Sequence, residues 1–149
     1  MLRANWIHTS FVERWLQEMS IGDTLNVCCG KSFVGDIRID TDPNSNRTEE
    51  GDLFNLPFSP LSFDTVICDP PFSYYNRFRW ILKLADIARE RFLLSSPNIS
   101  VRLSRRNWRR TLYYSEGNAA KGHSRGTLFL RMYWCFDRKN HRLDEEVSE

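Results

Sequence analysis

The sequence predicts an α/β domain in three layers, built on a mostly parallel sheet. Three observations lead there. Short apolar runs such as "TLNVCC" (24–29) and "FDTVIC" (63–68) suit strands covered on both faces. Segments with apolar residues at helical spacing alternate with these runs. Three strand ends run into loops rich in glycine, aspartate or proline: "CCGKS", "DTDP" and "DPPF". In a parallel sheet such loops gather beyond the carboxyl ends of the strands, where ligands bind.

The elements follow in order. Residues 10–19, "SFVERWLQEM", place Phe11, Trp15 and Met19 four apart, as on a helix. Ser10 and Glu13 have capping-box spacing, and Gly22 and Asp23 end the helix. "TLNVCC" is then a central strand, closed by Gly30. "DIRID" (36–40) is a second strand, running into Asp40, Thr41, Asp42 and Pro43. "NSNRTEE" reads as loop, and "GDLFNLPFSPLS" as turns. "FDTVIC" is the third strand. In "YNRFRWILKLADIARERF", Phe78, Ile81, Leu82, Ala85 and Ile87 can share a helix face. "RFLLSS" (91–96) is a fourth strand, stopped by Pro97. "NWRRTLYYSEG" fits either helix or strand. "TLFLRMYWCF" (127–136) is a long strand.

A chain of 149 residues is the size of one domain. With 41% hydrophobic and 13% aromatic residues it is globular rather than disordered. A net charge of +2 is too small to name a partner, but its distribution is uneven. "RLSRRNWRR" (102–110) holds five arginines, while the tail "LDEEVSE" is acidic and reads as a solvated end. Cys28, Cys29, Cys68 and Cys135 form no C-x-x-C pair and lie in apolar runs. They read as small buried hydrophobes in a reducing compartment. His8, His123 and His141 have no metal-ligand spacing, so no metal site is expected. No run approaches the roughly 20 apolar residues of a membrane span. "MLRANWIHTSFVERW" contains no signal-peptide apolar block. The expectation is a soluble, cytoplasmic protein with no membrane partner.

The stretch "FDTVICDPPF" carries the chemistry. Pro70 forces Asp69 into extended geometry, and Pro71 does the same to Pro70. The backbone is stiff there, and neither proline offers an N–H. What remains is an acceptor-only corner made of the Asp69 carboxylate and the Pro70 carbonyl. Its complement is an NH₂ group with two hydrogens, and Phe72 can stack an aromatic base beside it. An exocyclic nucleobase amine is planar because its lone pair is delocalised into the ring. Two fixed acceptors favour a tetrahedral nitrogen and free that lone pair for attack on a methyl group held in line. Asp-Pro-Pro is also an ordinary strand-ending turn. The apolar strand before it, the aromatic after it and the matching upstream loops favour the chemical reading.

These residues resemble the Rossmann-like, S-adenosylmethionine-dependent methyltransferases that act on amino groups of nucleic-acid bases. Asp69, Pro70, Pro71 and Phe72 match the family signature [DNS]-P-P-[YFW] at every position. The Asp form is most similar to N6-adenine enzymes of DNA or RNA. The resemblance implies a methyltransferase-type sheet, mostly parallel with a late antiparallel strand. It implies one minimal domain over 1–149, with its core at 24–136 and a polar tail at 137–149. "LNVCCGKS" stands where the family has a glycine-rich loop like "LDLGCGTG", which implies that Cys28, Cys29, Gly30 and Lys31 hold the cofactor. Asp40, with Asp42 as a rival, takes the place of the acidic residue that holds the ribose. Asp52 and Leu53 take that of the loop facing the adenine.

The sequence departs from that family in two ways. Cys28 replaces a glycine where backbone must approach closely. Gly30 and Asp40 are only ten positions apart, and "KSFVG" is too short for a helix, so the first crossover helix is expected to be reduced or absent. A chain with a weakened cofactor loop is the alternative: a methyltransferase-fold module that binds nucleic acid or a partner subunit. "GKS" is not a phosphate loop, since Leu25 stands where the first glycine is needed.

On the substrate side, Arg102, Arg105, Arg106, Arg109 and Arg110 flank Trp108. In this fold they can lie near the cleft mouth, where cations and a ring suit a phosphate backbone and a stacked base. A solvated helix face is the other reading. Tyr74, Tyr75 and Asn76 can border the target pocket, although the tyrosines can also be packing residues and Asn76 a helix N-cap. No separate recognition domain is expected, since the core fold takes nearly all of these residues. Target recognition on DNA or RNA is therefore expected from short loops, a protein partner or a homo-oligomer.

Overall fold

A computed structural model describes residues 10–71, 74, 79–96, 101–118 and 128–139, with the side chains of 114–118 and 128–131 excepted. Seven strands form one sheet. They are β1 (Thr24–Val27), β2 (Ile37–Asp40), β3 (Glu49–Glu50), β4 (Phe63–Cys68), β5 (Ala88–Ser96), β6 (Trp108–Asn118) and β7 (Leu128–Arg138). Two helices are described, α1 (Ser10–Met19) and α2 (Arg79–Ile87). The strand order is β3-β2-β1-β4-β5-β7-β6. Strands β1 to β5 are parallel, and β7 is antiparallel to both neighbours, β5 and β6. This is the doubly wound order 3-2-1-4-5-6 with β7 inserted before the last strand. The chain thus has the methyltransferase-like α/β fold that the sequence predicts.

The order reverses between β1 and β4, so the crevice opens beyond their carboxyl ends. Both strands are nearly wholly buried, which suits their largely apolar residues, with Thr24, Asn26 and Thr65 as buried polar exceptions. One face packs on α2 through Val66, Cys68, Phe92, Leu94, Trp80, Ile81 and Leu84. The other packs on α1 through Val12, Leu16, Val34, Ile67, Leu93 and Tyr133. These are the three expected layers.

The crossover from β1 to β2, residues 28–36, contains no helix, as the spacing implies. The buried Asn26 amide donates to the Val34 carbonyl at 2.9 Å and to Ser32 Oγ at 3.3 Å. Val34 plugs the α1-side core, doing part of the covering that a crossover helix would do. Thr24 N donates to Asp36 Oδ2 at 2.8 Å, closing the loop at its base.

Several sequence expectations need correction. "NSNRTEE" is not all loop, because Glu49 and Glu50 pair in parallel with Ile39 and Asp40. Leu82 is 56% exposed, and the buried face of α2 uses Trp80 and Leu84 instead. Phe78 lies outside the described residues. The helix ends at Ile87 and β5 begins at Ala88, so "ARERF" is strand. "NWRRTLYYSEG" resolves as strand β6 from Trp108 onward. Among the described residues no helix is long and apolar enough to cross a membrane.

Candidate functional site

The ends of β1, β2 and β4 meet at the switch point. Val27 pairs with Cys68 across β1 and β4 and with Ile39 across β1 and β2, so Cys28, Asp69 and Asp40 leave the sheet side by side. Asp69 N lies 3.4 Å from the Val27 carbonyl, extending the ladder to the first residue of the motif. Asp69 is half-buried, Pro70 buried and Pro71 exposed. The Pro71 carbonyl accepts from Tyr74 N at 3.0 Å, so the chain turns immediately after the prolines. The Trp80 indole, buried under α2, donates to the Tyr74 carbonyl at 3.0 Å and secures that turn. Phe72, Tyr75 and Asn76 lie outside the described residues.

The β1 loop stands beside the corner. Cys28 has φ 58° and Gly30 has φ 53°, both left-handed. For Gly30 this is the conformation that glycine permits; for Cys28 it is strained. A Cβ placed on Gly30 would meet nothing within 4 Å, so its outer side faces open space. Gly30 N donates to Asp40 Oδ2 at 2.8 Å, and Asp42 N donates to Asp40 Oδ1 at 2.9 Å. A carboxylate has about four lone-pair sites, so Asp40 keeps acceptor capacity for a ligand hydroxyl. Asp42 instead closes its own turn by accepting from Asn44 N. Of the two, Asp40 is the one bonded to the Gly30 loop.

Asp52 is exposed, and its Oδ1 accepts from Phe54 N at 2.9 Å. Phe54 is 43% exposed and lies 5.0 Å from Tyr74, ring centroid to centroid. The pair forms an aromatic lip on the crevice. Desolvation raises the Tyr74 phenol above its usual range, and the nearness of Cys28, Asp52 and Asp40 adds to it. Cys68 is pushed well above the ordinary thiol value by burial first, then by a hydrogen bond with Cys28 and the nearness of Asp69 and Asp40. These shared influences tie Cys28, Asp40, Asp52, Asp69 and Tyr74 into one neighbourhood.

Other expected cofactor residues take supporting places. Leu53 and Cys29 are buried. Cys29 N donates to the Ile39 carbonyl at 3.1 Å, which pins the loop to β2. Burial, then Asp40, raises its thiol from 9.0 to about 11. Lys31 is exposed and its ammonium donates to the Asn44 carbonyl, so it braces the neighbouring loop. Phe54 and Cys68 were not singled out by sequence; Phe54 lies two residues after Asp52, which was the available signal.

The arginine-rich segment is the main correction. Trp108 pairs with Arg138, and Asp137 pairs with Arg91 near the start of β5. Trp108, Arg109 and Arg110 therefore begin β6 at the amino edge of the parallel strands. Asp69 is at the other edge. About five residues along the strands and three strand spacings across separate the two, or about 20 Å. Arg102, Arg105 and Arg106 lie in the exposed segment leading to β6 and do not join the Asp69 corner. The reason is that Val101 and Leu103 are buried on the α2-side core just before β6 starts.

Residues present at the crevice fit S-adenosylmethionine. Gly30 leaves open space, Asp40 and Asp52 offer carboxylate acceptors, and the Tyr74–Phe54 lip can face an adenine. A dinucleotide fits less well. Its pyrophosphate sits on a crossover-helix N-terminus, and residues 28–36 contain no helix. Three aspartates at the same edge would also repel phosphate.

No protein-family model matches the chain, and no match is found among curated proteins. Solved structures do resemble it. One, from work on the conversion of a disulfide bond into a thioacetal group during echinomycin biosynthesis, aligns at 13% identity and TM-score 0.57. That alignment covers 92% of this chain and 86% of the other. The PH0226 protein of Pyrococcus horikoshii OT3 aligns at 12% identity and TM-score 0.54, over 86% of this chain and 88% of that one. A candidate methyltransferase in complex with the Haloferax volcanii Trm112 methyltransferase activator aligns at 12% identity and TM-score 0.53. Coverage there is 87% of this chain and 89% of that one. At these identities the likeness establishes the shared fold.

Proposed function

We propose that this chain is an S-adenosylmethionine-dependent methyltransferase acting on an exocyclic amino group of a nucleobase, N6 of adenine in DNA or RNA. One observation carries the reading: Asp69-Pro70-Pro71 leaves β4 beside the open Gly30 loop and Asp40, at the sheet's switch point. S-adenosylmethionine, when bound, supplies a methyl group on a sulfonium sulfur. Gly30, Asp40 and Asp52 hold it, the carboxylates accepting from hydroxyl and amine donors. Asp69 and the Pro70 carbonyl accept the two N–H hydrogens of the target amine and aim its lone pair. In the methyl transfer that the cofactor would supply, Asp69 or water would take the proton that the amine nitrogen must lose. Phe72 stacks the base, which must be flipped from a duplex or presented in a single strand.

The neighbour in complex with an activator supports a further part of the reading, that this chain works with a protein partner. The test is incubation with mixed DNA and RNA plus S-adenosylmethionine, followed by nucleoside mass spectrometry. Methyladenine is the expected product, and its absence together with that of any other methylated base overturns the assignment. Asp69→Ala should abolish transfer and keep cofactor affinity within a few-fold, whereas Asp40→Ala should mainly weaken the cofactor. The reverse pattern would mean the roles are exchanged. The strained Cys28 favours a second reading, a silent module that binds nucleic acid or a partner. Calorimetry separates the two, because that module shows no heat with millimolar S-adenosylmethionine.

A further inference from the structure

The arginines displaced from the crevice frame a cavity of about 660 Å³. Arg102, Arg105, Arg109, Arg110 and Lys139 line it together with Trp108, and among the described residues no carboxylate lines it. Its walls are fixed. The Arg110 guanidinium lies 4.6 Å over the Trp134 ring and donates to the Val101 carbonyl at 2.9 Å. Trp108 is backed by Arg138, 4.4 Å from its ring centroid, which donates to the Ala88 and Ala85 carbonyls at 2.8 and 3.2 Å. Arg102, Arg105 and Arg109 are exposed, and Lys139 is half-buried. A solvated cationic face spreads its charges outward. Here five cationic residues line one concavity at the edge strand, Arg109 and Arg110 reaching its rim from opposite faces of β6, and an anion seated there meets several of them.

We infer that this cavity anchors the phosphodiester backbone of a nucleic acid, at a site separate from the amine corner. The identity of the polymer rests on the reading above; the anion site rests on the cavity itself. Guanidinium groups grip phosphate bidentately. Five cations around a cavity of this size suit several phosphates in succession rather than one. The separation of about 20 Å sets a length: at 3.4 Å of rise per nucleotide, a strand reaching both places needs about six nucleotides. The cavity would thus favour longer substrates, and hold the polymer while its base occupies the far edge.

Fluorescence anisotropy with a labelled twelve-nucleotide single strand tests this, with a three-nucleotide strand, ATP and an acidic peptide as competitors. The variant Arg102→Gln/Arg105→Gln/Arg109→Gln/Lys139→Gln removes four lining cations. Arg14→Gln/Lys83→Gln, at exposed positions on α1 and α2, is the control. Four lost contacts should lower the slope of log affinity against log salt by about three. Wild type should then lose about 50-fold more affinity than the variant between 50 and 200 mM salt. Equal losses in the control, or competition by ATP or peptide as strong as by the long strand, would overturn the anchor. Binding in the expected pattern without methyl transfer leaves the anchor and removes the activity. Transfer to three nucleotides as efficient as to twelve does the opposite.

Discussion

Cys28 offers the sharpest test of how the cofactor loop is built. Its φ of 58° is left-handed, where a Cβ crowds the following carbonyl. Two substitutions separate the backbone from the thiol. Cys28→Ala removes the sulfur and keeps the Cβ; Cys28→Gly removes both. Each loses the half-buried thiol and its contact with Cys68. Their difference therefore reports the backbone. The left-handed conformation costs a non-glycine residue roughly 1–2 kcal/mol. Glycine returns roughly 0.5–1 kcal/mol of that through the freedom of its unfolded chain. The glycine variant should be the more stable by about 1 kcal/mol. A chain of 149 residues unfolds with an entropy near 2.1 cal/mol/K per residue, so the gap in Tm should be about 3 °C. Thermal unfolding followed by circular dichroism measures it.

Cofactor binding adds a second readout on the same pair. If the Cβ crowds the ligand, the glycine variant binds S-adenosylmethionine a few-fold more tightly than the alanine variant, by calorimetry. A Tm for Cys28→Ala equal to or above that of Cys28→Gly would refute the strain argument. Equal affinities would refute the crowding argument and leave the strain intact.

Alkaline pH should destabilise the fold through its buried thiols. Cys29 is raised from 9.0 to about 11, chiefly by burial and then by Asp40, and Cys135 to about 12, by burial and then by Asp137. Above pH 9.0 the unfolded chain releases these protons while the native chain retains them. Stability is then full below that pH and falls as pH rises toward about 12, by on the order of 3 kcal/mol per thiol. Urea midpoints against pH measure this, and Cys135→Ala should flatten the slope. A second expectation concerns Asn26. Asn26→Ala orphans the buried Val34 carbonyl and should cost about 1–3 kcal/mol in urea unfolding at unchanged m-value. Asn26→Asp, the residue of the resembling family, should cost more, since it sets a carboxylate against that carbonyl. A third concerns reactivity. Cys28 is the half-buried thiol among three buried ones, so a maleimide should modify it first, and S-adenosylmethionine should slow that modification. Equal rates with and without cofactor would place the ligand elsewhere.

Much of the fold was legible because its strongest signals are local. The limits of α1 and β4 coincide with the patterns "SFVERWLQEM" and "FDTVIC", where apolar spacing and turn residues agree. The missing crossover helix was legible by counting, from Gly30 to Asp40. What it leaves behind was not: the Asn26 amide that ties the loop down is a long-range bond with no sequence signature. Strand β3 escaped because two exposed glutamates carry no apolar signal; their place comes from pairing with β2. In β6, Arg109, Thr111 and Tyr113 are all exposed and Trp108 is buried, but Arg110 is also exposed. Cations on both faces erase the alternation that marks a strand. The placement of Asp69, Gly30 and Asp40 was legible because each ends a strand of the parallel core. The arginines were misplaced because sequence proximity to β5 says nothing of which edge the chain returns to.

The two edges of the sheet differ in charge, and that difference bears on which ligand each can hold. Asp40, Asp52 and Asp69 stand at the carboxyl edge, while Lys31 and Arg47 are tied to the Asn44, Asp40 and Thr41 carbonyls. With no crossover helix to lend a positive dipole end, that edge favours a cation and disfavours a phosphate. The amino edge is mixed: the cavity's five cations and two tryptophans stacked against arginines stand there with Asp64 and Asp137, which pair with Arg89 and Arg91, and with Asp86 near Arg138. On the proposed reading, a sulfonium cofactor at the first edge would meet carboxylates, and a polyphosphate chain at the arginine-lined cavity would meet cations. The absent crossover helix, which would weaken a dinucleotide site, costs a cationic cofactor nothing, because such a cofactor draws no stabilisation from a positive dipole end.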